Sequence, residues 1–366
     1  MNEYFSDAPQ LKAQIHNFNA GPSILPQEVL HEAASAILNF NNSGLSILEI
    51  GHRTPAFKAV MQEARDLVKT LMKLDDDHEV LFLHGGASIQ FMQVPLNLLD
   101  KRDTVAIADT GVWSSKAIKE ASNFGKVEIV CSSKDQNYNY IPGDFVVPTN
   151  ARYFHITTNN TIFGTQWHKI PYVSNSMVAD MSSDIMSRNL DFNRFDLIYA
   201  GAQKNVGCAG ATLVIVNKNV LGKVKHNIPT MLDYRKHIEE ESMLNTPPVF
   251  AIYTCMLTLR WLKAKGGIAW AEKESERKAA LLYDALGRSE YFYPTVETAS
   301  ASKMNVCFVM KNAELEKQFH TYTKKFNIAA LEGHRSVGGF RASLYNALPF
   351  ESVQVLAEAI ATFKPL

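Results

Sequence analysis

Lys204 stands in an unusual place. It lies in "DLIYAGAQKNVGCAGATLVIV", Asp196–Val216, between two apolar runs that read as buried strands, Leu197–Ala200 and Ala211–Val216. A flexible cation among glycines and alanines, where two core strands turn, is costly unless it is paired, neutral or covalently used. Taken alone, such a lysine is most often a solvated turn residue. Four other strand ends change the balance. "HGGAS", His84–Ser88, is a glycine turn feeding a helix, and its backbone N–H groups suit a phosphate. Trp113 in "DTGVW" follows a second strand and offers a flat ring for stacking. "TTNNTIFGT" puts Asn160 and Thr161 at the sheet edge, and Asp180 closes the apolar run of "MVADMSS". A carboxylate there needs a cation or a donor. Each motif also has an ordinary reading: a plain strand–helix turn, a core aromatic, a polar turn cluster.

Together the parts are those needed to hold pyridoxal phosphate: a phosphate cradle, a stacking aromatic, a buried carboxylate and a later lysine. The lysine forms the Schiff base, and the aspartate keeps the pyridine nitrogen protonated, so that the ring acts as an electron sink. Asp180 and Lys204 are 24 positions apart, room for one strand and its connection. On this reading Lys204 can be buried because it is covalently engaged.

These residues need a scaffold. "PAFKAVMQEARDLVKTLMKL" sets Phe57, Val60, Met61, Ala64, Leu67, Val68 and Leu71 on one helical face. "EVLFL", "TVAIADTG", "KVEIVCS", "YFHITT", "SMVADMS", "DLIYAGA" and "ATLVIV" read as strands. Between them, "ASIQFMQVPLNLL" reads as helix interrupted at Pro95, and "WSSKAIKEASNFG" as helix closed by Gly125. Strands alternating with helices predict an α/β fold with a mainly parallel sheet covered by helices, and active residues at the strands' carboxyl ends. After Pro247-Pro248 two long helical patterns lead into a strand–helix–strand–helix tail, a smaller α+β C-terminal domain. The expected division is 16–263 for the large cofactor-binding domain, with 1–15 and 264–366 forming the small one.

The chain has 366 residues, enough for two domains, with 46% hydrophobic and 20% charged residues. Lys+Arg and Asp+Glu both number 37, so the balance argues against a nucleic-acid or polybasic membrane partner but not against a local cationic pocket. "MNEYFSDAPQLKAQ" has no apolar signal core, and no apolar run reaches the ~20 residues of a membrane span. Cys131, Cys208, Cys255 and Cys307 show no zinc spacing, so no metal is expected. A reducing cytoplasm is the expected home.

"FNAGPSILP", "EIGHR", "HGGASIQF", "DTGVW", "IYAGAQKNVGCAG", "NTPP" and "GHRSVGGFRASLYNALP" resemble, in order and spacing over nearly the whole chain, the phosphoserine aminotransferases of the class V aminotransferase family. The resemblance implies the aspartate-aminotransferase fold and a homodimer carrying pyridoxal phosphate. It implies Lys204 and Asp180 as catalytic residues. Ala87, Ser88 and Gln203 would meet the cofactor phosphate, Trp113 would stack on the ring, Thr161 would contact its hydroxyl and Asp180 its nitrogen. Asn245 and Thr246 would reach the phosphate from the other subunit. Some members carry arginine directly before "GQF", where this chain has Ser88 in "ASIQF".

Phosphoserine carries a carboxylate and a phosphate, and glutamate two carboxylates, so a site serving both needs two cationic poles. Arg341 is expected at the α-carboxylate. Arg53 and Arg335, helped by His52 and His334, are expected at the distal anion. The implied reaction moves the amino group of glutamate to 3-phosphohydroxypyruvate in serine biosynthesis, and the same chemistry could serve vitamin B6 synthesis. Two other readings are a different aminotransferase or a desulfurase of the same fold, and a cofactor-binding regulator without catalysis. The paired "GHR" segments argue against the first, and intact Lys204, Asp180 and Arg341 against the second.

Overall fold

The computed structural model describes residues 15–365. The polar leader Met1–Gln14, and with it nearly all of the expected 1–15 segment, lies outside the described residues. The chain enters through a short strand, β1 (His16–Asn17), and two helices, α1 (Gln27–Leu38) and α2 (Pro55–Met72). Thr54 caps α2 by accepting the Phe57 N–H, Pro55 fits the first turn, and Lys73 in the left-handed region ends it. The predicted stripe is buried from Phe57 to Val68.

Then comes the sheet: β2 (His78–Leu83), α3 (Gly86–Leu98), β3 (Thr104–Asp109), α4 (Val112–Ala121), β4 (Lys126–Ser132), β5 (Ala151–Thr157), β6 (Ser176–Asp180), β7 (Leu197–Gly201) and β8 (Thr212–Asn217). The order is β2-β8-β7-β6-β5-β3-β4. Only β8 runs against its neighbours; the other pairings are parallel. The sheet is therefore mainly parallel, as expected. Strands β6 to β8 are almost continuously buried, since apolar residues cover both faces.

Two local expectations are corrected. Pro95 does not interrupt α3, which runs on to Leu98; the whole C-terminal half of that helix is buried, and its packing outweighs the lost N–H. Gly125 does not close α4, which ends at Ala121. Gly125 instead leads into β4, where a Cβ would come within 2.8 Å of the Asp103 carbonyl.

A connection through α5 (Tyr234–Glu239) leads to α6 (Val249–Ala264), buried nearly all round, and α7 (Gly267–Gly287). The remainder is β9 (Phe292–Pro294), β10 (Asn305–Met310), α8 (Glu316–Thr323), β11 (Ile328–Ala329), β12 (Phe340–Ser343) and α9 (Phe350–Thr362). It forms a three-stranded antiparallel sheet, β12-β10-β9, with its own core of Leu282, Phe292, Phe308, Phe319, Phe340 and Leu356. This is the smaller α+β unit. β1 pairs with β11, and Phe18 enters the same core, so the first described residues pack with the tail. Among the described residues no helix is long and apolar enough to cross a membrane.

Candidate active site

The parallel strands end on one edge, and register aligns Thr157 with Asp180 and Asp180 with Tyr199. The loop 202–211 leaves β7 at that edge and returns as antiparallel β8, which sets Lys204 beside the strand ends. A cavity of about 320 Å³ opens there. Its walls include Ala87, Ser88, Trp113, Thr161, Asp180, Gln203, Lys204, His334 and Arg341, so nine of the fourteen expected site residues meet in one place.

Each is held by local structure. Gly85 and Gly86 turn into α3 with φ of 89° and 67°, values that favour glycine, and bring Ala87 and Ser88 to its first turn. A Cβ on Gly201 would stand 2.6 Å from Gln203 Oε1, so glycine makes room for that amide. Trp113 lies in the first turn of α4. Ser114 Oγ secures that turn, accepting the Thr110 and Gly111 N–H groups at 2.9 Å each and donating to Asp109 at 3.1 Å. Lys204 Nζ donates to Thr161 Oγ1 at 2.8 Å and lies 5.9 Å from the Trp113 ring centroid. Arg341, on β12 opposite Cys307, reaches the Thr161 carbonyl at 3.4 Å. Thr161 thus touches both cations.

Electrostatics sharpen the picture. Burial lowers the Lys204 amine to about 8, Arg341 pushes the same way, and Asp180 and Asp184 oppose them. A good share of the amine is therefore neutral near physiological pH, as a nucleophile or base requires. Asp180 is 4% exposed, accepts the Ser182 N–H at 2.9 Å and forms no ion pair among the described residues. Burial raises its carboxyl above the usual value. His334 is pushed below its ordinary value by burial and by Arg341, Arg335 and Lys116.

Three buried polar atoms of the wall have no partner: Trp113 Nε1, Thr157 Oγ1 and Arg341 Nε. A buried carboxylate without an ion-pair partner, an aromatic face, a lysine of lowered pKa and a glycine-rich helix start fit pyridoxal phosphate. Arg341 also forms no ion pair with a protein carboxylate among the described residues, so its guanidinium is free for a ligand anion.

The comparisons with known proteins agree. The model of the class-V aminotransferases matches residues 15–356. A phosphoserine aminotransferase of Flavobacterium johnsoniae is 55% identical over 346 residues, 94% of this chain and 97% of that one. The chain belongs to the phosphoserine aminotransferase family, within class V. A solved phosphoserine aminotransferase, described for radiation damage of its Schiff base, superposes with a TM-score of 0.92 at 44% identity, covering 95% of this chain and 98% of that one. The pyridoxal-phosphate-bound phosphoserine aminotransferase of Trichomonas vaginalis gives 0.90 at 34% identity, covering 95% and 99%. Membership of this family makes pyridoxal phosphate the cofactor.

Five expected residues do not line the cavity of their own chain: His52, Arg53, Asn245, Thr246 and Arg335. Arg53, Thr246 and Arg335 are exposed, His52 and Asn245 half-buried. The Thr246 carbonyl accepts from His84 Nε2 at 2.9 Å, which ties it to the glycine turn. Asn160, marked in the sequence with Thr161, serves the turn instead, donating to Thr165 Oγ1 at 2.8 Å. Other wall residues were not singled out by sequence: Ala20, Gly21, Thr157, Asn159, Ser182 and Ser183. The threonine pair ending "YFHITT" was a usable signal for Thr157. The role of "AGPS" shows only in three dimensions, where Ser23 Oγ donates to the Lys204 carbonyl at 2.5 Å and Ser23 N–H to the Gln203 carbonyl at 2.9 Å.

Proposed function

We propose that this chain transfers the amino group of L-glutamate to 3-phosphohydroxypyruvate, giving 2-oxoglutarate and O-phospho-L-serine, with pyridoxal phosphate held at Lys204. The observation that carries this reading is the meeting of Lys204, Asp180 and the unpaired Arg341 in one cavity of a chain from this family. When bound, the cofactor supplies an electron sink for the Cα carbanion and a temporary carrier for the amino group. The chain supplies the rest. The α3 start with Ala87 and Ser88, together with Gln203, receives the phosphate. Trp113 would stack on the ring, Thr161 would contact its hydroxyl, and Asp180 would hold the proton on its nitrogen. Lys204 would hold the cofactor through its amine, and as a free amine it would move the proton at the substrate Cα as acid and base. Arg341 takes the α-carboxylate, and His334 lies beside it.

The distal pole is shared. Arg53, His52 and Arg335 of that pole lie off their own cavity, while His334, which helps them, lines it; Asn245 and Thr246, which would reach the cofactor phosphate, also lie off it, and we assign all five to a site completed by a second copy in a homodimer. Exposed Leu30, Ile37, Leu38, Leu45 and Leu48 give that copy an apolar surface to cover. The same two poles accept a phosphorylated keto acid one carbon longer, the amination step of vitamin B6 synthesis. The four free cysteines suit a reducing cytoplasm. We divide the chain near 263/264 and assign residues 15–18 to the smaller unit, on the pairing of β1 with β11. The test is the visible band of the loaded protein: phosphoserine and glutamate both shift it. A band moved by other amino acids but not by phosphoserine overturns the substrate, and no band at all overturns attachment at Lys204.

A further inference from the structure

Asp184 is 3% exposed and lies beyond Asp180 in the loop after β6, outside the cavity wall. Its Oδ1 accepts the Thr158 hydroxyl at 2.5 Å. Its Oδ2 accepts Gln166 Nε2 at 3.2 Å and Arg188 Nη2 at 3.1 Å. Thr158 in turn donates its N–H to the Asp180 carbonyl at 3.0 Å, and its carbonyl accepts the Trp167 N–H at 2.9 Å. Its neighbours Thr157 and Asn159 both line the cavity. Asp184 therefore grips the junction of β5 and β6 at the point where Thr157 and Asp180 face the site.

We propose that Asp184 is a positioning residue: it fixes the ends of β5 and β6 through Thr158, and its buried charge holds the proton on the group attached at Lys204. The inference rests on the attachment of the cofactor at Lys204 proposed above. The charges bearing on the Lys204 amine are Asp180 from β6, Asp184 from the loop after it and Arg341 from β12, with the Thr161 hydroxyl accepting from Nζ. Asp184 also opposes ionisation of Asp180. Around Asp184 itself stand Arg188, which pairs with it, and His168, which burial keeps below its usual value and so neutral at physiological pH. Arg188 answers one carboxylate oxygen, while the other bears on Thr158. The Lys204 amine thus feels two enclosed carboxylates rather than one. A negative charge raises the proton affinity of a nearby base, and Arg188 partly offsets it.

The experiment is a spectrophotometric pH titration of the cofactor-loaded protein in four forms: wild type, Asp184→Asn, Arg188→Gln and the double variant. Loss of the carboxylate moves the midpoint down by roughly half to one pH unit. Loss of the guanidinium moves it up, and the double variant falls between the two single ones. A packing role alone gives no such pair of opposite shifts. The midpoint for labelling the Lys204 amine in cofactor-free protein moves down in Asp184→Asn as well. An unchanged or raised midpoint in Asp184→Asn overturns the inference. Should that variant not fold, an unchanged or lowered midpoint in Arg188→Gln overturns it equally. A wild-type protein with no lysine-dependent band refutes the attachment itself, a failure separate from a missing shift.

Discussion

Asp180→Asn should stabilise the cofactor-free protein and destabilise the loaded one, each relative to wild type. The side chain is 4% exposed, and it accepts the Ser182 N–H at 2.9 Å, with no ion pair among the described residues. Burial raises its carboxyl above the ordinary range, while the Ser182 bonds and the Lys204 charge pull it back. A carboxyl whose folded-state pKa is raised favours folding while protonated; that contribution is present below the unfolded value and is lost as pH rises through the folded one. As pH rises, cofactor-free protein therefore has to carry an ionised, enclosed carboxylate at a cost, and asparagine removes the cost. The cofactor-free variant should melt above cofactor-free wild type at pH 8, and the gap should close as pH falls and Asp180 protonates. With cofactor bound the sign changes. The lost interaction is one charge-assisted hydrogen bond to the protonated ring nitrogen, worth about 1.5–3 kcal/mol. At about 1.4 kcal/mol per tenfold, that is roughly tenfold to a hundredfold in cofactor affinity. Turnover should fall roughly a hundredfold or more, about 3 kcal/mol of transition-state stabilisation. Circular-dichroism melts of both forms at two pH values, with a cofactor titration, make the measurement. A variant that is destabilised in both forms, or that binds cofactor as wild type does, refutes the assignment of Asp180 to the ring nitrogen.

Four further outcomes follow from the cations. In cofactor-free protein, amine-directed labelling of Lys204, read by peptide mass, should rise with pH around a midpoint of about 8, since burial lowers that amine; a midpoint close to that of an ordinary solvated lysine would mean the amine is not enclosed. Lys204→Ala should lose borohydride-fixable cofactor while keeping its far-ultraviolet spectrum, and cofactor still fixed would move the attachment elsewhere. Arg341→Ala should raise KM for glutamate and phosphoserine alike, by roughly a hundredfold for a lost bidentate carboxylate contact worth about 3 kcal/mol. Arg53→Ala and Arg335→Ala should weaken both substrates but spare an uncharged donor such as alanine, and sparing of glutamate by Arg341→Ala would mean the poles are exchanged.

The sheet was legible because most of its strands are short apolar runs, four of them closed by Asp109, Thr157, Asp180 and Gly201, and because α2 shows one apolar stripe. Position within that frame marked Lys204 and Asp180: two charged residues at the ends of runs where charge is costly. The rest depended on contacts between distant segments. Ser23 supports the Lys204 loop from 181 positions away, a relation that no local pattern carries. Asn160 and Thr161 are adjacent polar residues in one turn, yet only Thr161 faces the cavity. Their division depends on the turn's backbone, which places Asn160 against Thr165 and the start of α4. Pro95 misled because helix-breaking chemistry is local, whereas the burial of Gln93–Leu98 that sustains α3 is not.

Shared sites can be tested by complementation. If Asn245 and Thr246 complete a neighbour's phosphate site, each site of the dimer draws on both chains. Lys204→Ala disables the site its own chain anchors. Thr246→Trp, at an exposed position beside the glycine turn, fills the partner's site with a bulky ring. Each homodimer is then inactive, one lacking both lysines and the other with both phosphate sites obstructed. In a mixed dimer the two lesions fall together. The site anchored by the Lys204→Ala chain is the same one that the bulky ring of the Thr246→Trp chain obstructs, and the other site has both its lysine and its threonine. Random reassociation of equal amounts makes about half the dimers mixed, each with one intact site, so about a quarter of wild-type activity returns after co-refolding. If Thr246 instead served its own chain's site, a mixed dimer would carry one lesion in each site and recover nothing. Mixed dimers shown to form by mass, yet inactive, would therefore place Thr246 in the site of its own chain.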